Sequence, residues 1–193
     1  GAYNAEHIPT FFTLSPTLQN YRDAFTSVPL GRYLANTVFF AVVTTALMVV
    51  VITLSAYAFA RMEFRGKNLL FTLFLSLMMI PFEMLIITNY STIVSLGLWD
   101  TIPALILPFT SSIFYMYILK NFFATVPDSL YYSARIDGSS NWRFLWRILV
   151  PMARPSLVTI ILLNALASWN SFMWPMYVIS STNNRTLPWG LQV

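Results

Sequence analysis

The chain has 193 residues, 57% of them hydrophobic, and its 18 charged side chains are far fewer than the about one in four expected of a soluble domain. A net charge of +4, a pI near 9.5 and a mean hydropathy of +0.64 describe a surface that faces lipid rather than water. No Cys is present, which excludes disulfides, thiolate metal sites and thiol catalysis together.

The first apolar run, residues 33–60, lies between Arg32 and Arg61 and holds 28 residues without a charge. A helix of that length measures about 42 Å, enough to cross a hydrocarbon core of about 30 Å with tilt. Its middle is rich in Val and Thr, but a backbone in lipid must satisfy its own hydrogen bonds, so these residues do not argue for a strand. The second run is charge-free only from Asn68 to Phe82, so a span over 68–88 must continue past Pro81 and Glu83, with a break expected at Pro81. A third span is predicted over 101–120, containing Pro103 and Pro108. The fourth, over 156–179, carries Asn164, Trp169, Asn170 and Pro175.

Orientation follows from the basic residues, which are retained on the cytoplasmic side. Arg61, Arg65 and Lys67 fall in the first connection, and Lys120, Arg135, Arg143, Arg147 and Arg154 in the long stretch from Lys120 to Arg154, which together hold 8 of the 11 Lys and Arg. Arg22, Arg32 and Arg185 fall on the other side, so both ends of the chain are expected outside. The first 32 residues show no signal-peptide pattern, and the chain opens with Gly1. The expectation is a fragment, with a span before Gly1 and another after Val193.

The segment 126–155 reads VPDSLYYSARIDGSSNWRFLWRILVPMARP and has internal punctuation. Pro127, Asp128 and Ser129 start a helix, Gly138 ends it, Ser139 and Ser140 cap the next, and Pro151 stops that one. In the second helix Trp142, Leu145, Trp146 and Leu149 form one apolar stripe, with Arg143 and Arg147 on another face. One reading lays this stripe on the bilayer surface with Trp at headgroup depth. A DNA-reading helix-turn-helix is the other local match, but two spans clamp the unit too closely for a duplex to approach.

The spacing Tyr132-Ser133-Ala134, three residues, Gly138, nine residues, Ile148-Leu149-Val150-Pro151 resembles the Glu-Ala-Ala loop of binding-protein-dependent ABC importer permeases. Ala134, Ile136, Asp137, Gly138, Ile148 and Pro151 all fit it. Trp169-Asn170, Trp174-Pro175, residues 187–191 and Ala104-Leu105-Ile106-Leu107-Pro108 look like the carbohydrate-uptake branch, with maltose-type permeases as its familiar members. The resemblance implies an all-α membrane bundle of the type I importer kind, in a bacterial or archaeal cell membrane, with 121–155 as a two-helix coupling loop. It also implies partners: a second permease subunit, ATPase subunits that carry ATP and Mg and dock the loop's first helix, and an extracytoplasmic solute-binding protein. Tyr132 stands where the motif has Glu, and Ser133 where it has the first Ala. The ionic contact the Glu would make is thus replaced by aromatic area and a hydroxyl.

Four candidates for a solute path lie in the spans. Glu83 is either a pathway group or an interfacial one, since a carboxylate at mid-membrane costs about 2.5 to 3.5 kcal/mol. Trp169 and Trp174 could stack on sugar rings and Asn170 could bind hydroxyls, against an aromatic belt and an interhelical amide. Asn183, Asn184 and Arg185, a polar and flexible end, are candidate contacts for the binding protein. His7 is the only His, which argues against a metal site, and no phosphate loop or catalytic triad pattern occurs, so no enzyme is expected in this chain. A secondary transporter would place a coupling carboxylate or His inside its spans and show inverted repeats, and a scaffold would leave the Gly-punctuated loop without a role.

Overall fold

In the computed structural model, residues 28–192 are described; His7 and Arg22 lie outside them. The 28-residue charge-free run forms the interior of α1 (Leu30–Arg61), which starts after Pro29 and whose last turn holds Arg61. Among the described residues it alone is long and apolar enough to cross a membrane, and three further helix pairs meet that test only when each bent pair is taken as one span. One face of α1 is buried through Tyr33, Thr37, Phe40, Met48, Ile52 and Ala56, while Phe39, Val42 and Val50 are exposed, as on a helix with lipid or another helix beside it.

Each of the three bent helix pairs has a proline at or near its break. α2 (Lys67–Leu77) and α3 (Phe82–Ser95) meet at 101° around Pro81, which lacks an N–H and disfavours helical backbone in the residue before it. The break expected at Pro81 is thus a bend near a right angle between two helices. α4 (Ile102–Ile106) tightens into a 3-10 turn at Leu107–Phe109 around Pro108, and α5 (Ile113–Thr125) follows at 46°, its first turn capped by Ser112, whose Oγ accepts from the Tyr115 N–H at 3.3 Å. After α6 (Asp128–Ile136) and α7 (Asn141–Met152), α8 (Arg154–Trp169) turns away at 77°. Within 156–179 the helix ends at Trp169 and resumes as α9 (Met173–Val178); α10 (Leu187–Gly190) closes the described part.

Two cores lie along α1, which packs most extensively on α5 and then on α8. Toward Arg61, Met48, Ile52, Ala56 and Phe59 meet Leu119, Phe123, Leu157 and Ile160, and the long loop adds Ala134, Phe144, Leu145 and Leu149 to the same cluster. Toward Leu30, Phe40 meets Ile93, Leu105, Trp174 and Val178. There α10 lies so close that a β-carbon on Gly190 would stand 2.3 Å from the ring of Tyr33, itself 2% exposed. Any side chain at that position would have to displace a buried aromatic.

Candidate functional site

The loop at 126–155 is built into the core rather than laid on a surface. α6 ends in a Schellman motif: the Ser139 N–H donates to the Ala134 carbonyl at 2.8 Å and the Gly138 N–H to the Arg135 carbonyl at 3.1 Å. This requires the left-handed backbone that Gly138 adopts, with φ 76°. Ser140 then caps α7, its Oγ accepting from the Arg143 N–H at 3.2 Å, and the Tyr131 hydroxyl donates to Asn141 Oδ1 at 2.9 Å across the turn. Tyr131 also sets its ring edge-on to Phe144 at 5.1 Å. The two short helices are thus one rigid hairpin.

α7 corrects two expectations. The helix does not stop at Pro151 but runs through it to Met152, and the turn comes at Ala153. Its middle, Leu145–Leu149, is a π-helix, which widens the turn before a residue that cannot donate. The extra residue in that turn puts the apolar stripe out of phase: Phe144, Leu145 and Leu149 are buried, Trp146 is half-buried and Trp142 is 62% exposed. Ile148 and Pro151 are half-buried, and Arg143 and Arg147 are exposed.

On α6 the division is sharp. Ala134 is buried against the core, where a small residue is needed, whereas Tyr132 is 63% and Ile136 86% exposed. These two are four residues apart and share one face, with Ser133 and Asp137 also exposed beside them. An aliphatic side chain left this open beside an exposed Tyr, on a loop outside the predicted spans, is an apolar patch that a partner could cover.

In the sequence Arg61 carries only an orienting charge, yet in the fold it holds this hairpin in place. It donates through Nη2 to the carbonyls of Phe123, at 2.9 Å, and of Val126, and through Nη1 to the Asp128 carboxylate. At the opposite end, Asp100 was also missed. It takes φ 60° between α3 and α4, and its Oδ1 accepts from the N–H groups of Ser180 and Ser181 and from the Ser181 hydroxyl, each at 3.0 Å. The available signal was an acid in a Gly-Leu-Trp-Asp-Thr turn between two apolar runs. Around it, Asn184 Nδ2 donates to the Asp100 carbonyl at 2.7 Å. Asn36 Nδ2 donates to the carbonyls of Asn183 and Arg185, at 2.8 and 3.0 Å. The turn expected to be flexible is therefore pinned: Asn184 and Arg185 are half-buried, the latter over the Trp189 ring at 5.2 Å, and Asn183 alone of the three is exposed.

Burial raises the Asp100 carboxyl, but the Ser181 and Ser180 amides and the Ser181 hydroxyl outweigh it and hold the group below the usual carboxylate range. A lowered pKa stabilises the turn above the ordinary carboxylate value, and that contribution is lost as pH falls through the lowered value. Protection of the Ser180 and Ser181 amides against hydrogen exchange, corrected for intrinsic rate, is expected to stay level from about pH 8 to 5 and to drop below about pH 4. Asp100→Asn should remove that step; a step that persists in the variant would assign it to another group.

The solute-path candidates do not converge. Trp174 is 1% exposed, its indole N–H donates to the Ala104 carbonyl at 3.0 Å, and its ring lies near-perpendicular to those of Phe82 and Phe109, at 5.9 and 6.5 Å. It is a core residue here and offers no face to a sugar ring. Asn170 ends α8 and donates its amide to the Leu166 carbonyl at 2.8 Å, while Trp169 is 37% exposed. Glu83 is exposed in the first turn of α3, where a carboxylate suits the helix dipole. The residues that do meet are ones the sequence did not single out for it: Asn164, which donates to Thr45 Oγ1 at 2.9 Å, lines a small cavity of about 70 Å³ with Phe40, Phe109, Ser168 and Ser171. Among the described residues no group of three or more His, Asp or Glu is arranged to hold a metal ion.

Residues 27–192 match the family described as "Binding-protein-dependent transport system inner membrane component", a span that includes both the hairpin and the outer turn. The chain belongs to this family. It is 34% identical over 176 residues to the arabinooligosaccharides transport system permease protein AraQ of Halalkalibacterium halodurans, covering 91% of this chain and 63% of that one. It is 31% identical to the diacetylchitobiose uptake system permease protein NgcG of Streptomyces coelicolor, covering 90% and 58%. The sn-glycerol-3-phosphate transport system permease protein UgpE of Yersinia pestis is 32% identical, with 86% and 59% covered. This chain thus spans about three-fifths of the length of these relatives. Among solved structures, a bacterial ABC transporter involved in the import of the acidic polysaccharide alginate superimposes with a TM-score of 0.75 at 27% identity, covering 82% of this chain and 55% of that one. The fold is that of an ABC importer permease.

Proposed function

We propose that this chain is the membrane-spanning core of a permease subunit that imports a sugar or sugar derivative, working with a second permease, ATPase subunits and an extracytoplasmic binding protein. The observation that carries this reading is the exposed pair Tyr132 and Ile136 on a hairpin that Ala134, Phe144, Leu145 and Leu149 anchor in the core. A segment lying on lipid would bury its apolar side chains in the headgroup region along one whole face. Here Phe144, Leu145 and Leu149 of α7 turn inward while Trp142 stays exposed, and α6 presents Tyr132 and Ile136 outward, on the helix that would meet the ATPase in the family's arrangement. α6 is the docking helix, and the contact is made by shape and apolar area rather than by the ion pair that a Glu at 132 would make.

The solute class rests on the relatives, whose named cargoes are oligosaccharides and a polyol phosphate. The finer assignment, to the maltose-type branch, rests on the Trp169-Asn170 and Trp174-Pro175 pattern in the last apolar run. Four crossings near 33–60, 68–88, 101–120 and 156–179 with the hairpin on the cytoplasmic side agree with the distribution of Lys and Arg. The outer turn with its exposed Asn183 faces the binding protein. In membrane vesicles holding the full-length permease, its partner permease and ATPase, labelled oligosaccharides should accumulate only with ATP on the ATPase side and binding protein on the other. Accumulation driven by a proton or sodium gradient without ATP would overturn the reading.

A further inference from the structure

α1 is held at both ends by side chains that reach another element. Toward the outer turn, Asn36 donates to the Asn183 and Arg185 carbonyls, and Thr37 Oγ1 accepts from the Leu187 N–H at 2.7 Å. At the hairpin end Arg61, the last residue of α1, places its guanidinium between the end of α5 and the start of α6. The carbonyls it caps, those of Phe123 and Val126, lie at the C-terminus of α5, where the backbone has no helical partner for them. Both residues are buried, so few waters could replace the guanidinium. The Arg61 side chain is 9% exposed, and its third acceptor, Asp128, is 76% exposed and opens α6.

We propose that Arg61 is a positioning residue for coupling: it locks the angle between α5 and α6 to the end of α1, so that a displacement of α6 is carried to the outer turn by one 32-residue helix. The inference rests on the reading of α6 as the ATPase-docking helix. The fork geometry is what the role demands. A planar guanidinium can serve two carbonyls and a carboxylate at once in a fixed arrangement, whereas a Lys ammonium on a flexible stem keeps the charge and loses that fixity. The two buried carbonyl contacts carry most of the effect, and the ion pair to an exposed carboxylate carries little.

The test uses the full permease complex in vesicles and reads solute accumulated per ATP hydrolysed, together with the yield of ATPase that co-purifies. Arg61→Lys is expected to retain the ATPase and to lower the ratio by about tenfold, the worth of one charge-assisted hydrogen bond. Asp128→Asn is expected to lower it by about threefold, as for an exposed pair. A wild-type ratio in Arg61→Lys would overturn the proposal. Should Arg61→Lys lose the ATPase, the Asp128→Asn ratio decides: a lowered ratio sustains the positioning role, and a wild-type ratio reduces Arg61 to a structural anchor and overturns it. The docking reading fails by a different signature, retention of the ATPase by a permease carrying Ile136→Asp.

Discussion

Ile136→Asp is expected to abolish co-purification of the ATPase subunit with the full-length permease while leaving membrane insertion intact. Ile136 is 86% exposed, so the substitution removes no internal contact and insertion has no reason to suffer. In the complex the same side chain would be covered. Burying an Ile side chain is worth about 1.5 to 3 kcal/mol, and placing a carboxylate in an apolar cleft adds a desolvation cost of several kcal/mol. Together these exceed the 2.7 kcal/mol or so that corresponds to about a hundredfold loss of affinity. Tyr132→Ala should act in the same direction and less strongly, and Tyr132→Phe should be nearly silent, because the ring supplies the area. Bulk salt should change assembly little, since apolar area is not screened as exposed charges are. Undiminished ATPase yield from Ile136→Asp in detergent-purified complex would show that α6 meets no partner through this face.

A series at Gly138 separates backbone conformation from packing. The residue has φ 76°, and a β-carbon built there would meet nothing within 4 Å. Any penalty is therefore conformational: about 1 to 2 kcal/mol for an ordinary L-residue, more for a β-branched one, and least for Asn, which tolerates the left-handed region. Gly138→Val should break the Schellman pair at Ala134 and Arg135, swing α6 off the core and uncouple or disassemble the complex. Gly138→Asn should retain both assembly and uptake. Equal activity of the two variants would show that the turn adapts and that its left-handed geometry is not what holds the hairpin.

Elements whose signal is local are legible in the residues alone. A 28-residue charge-free run can only be a helix in lipid, because the backbone there must satisfy itself, and α1 is that helix. Pro81 forecast a break, since a residue without an N–H ends a hydrogen-bonded ladder wherever it falls. Gly138 and Ser140 marked the turn of the hairpin, for a left-handed residue followed by a cap is legible from residue type alone. The family's loop spacing was visible for the same reason, being a pattern of close neighbours.

Which side chains face inward and which distant groups meet depends on packing across the whole bundle. The 101° bend at Pro81 and the π-turn ahead of Pro151 depend on what each helix packs against, so neither the near-perpendicular course of α3 nor the exposure of Trp142 could be read from periodicity. Trp174 looked like a sugar platform because Trp is chemically suited to both roles, and burial against Phe82 and Phe109 assigned it to the core. Arg61 and Asp100 looked like a topology charge and a loop acid. Their partners lie 62 to 81 residues away along the chain, and no local pattern encodes a hydrogen bond across that separation. Helix formation and chain reversal are properties of neighbouring residues, whereas pinning the hairpin and the outer turn to α1 depends on which carbonyls and amides the folded bundle brings within reach of one guanidinium, one carboxylate and one carboxamide.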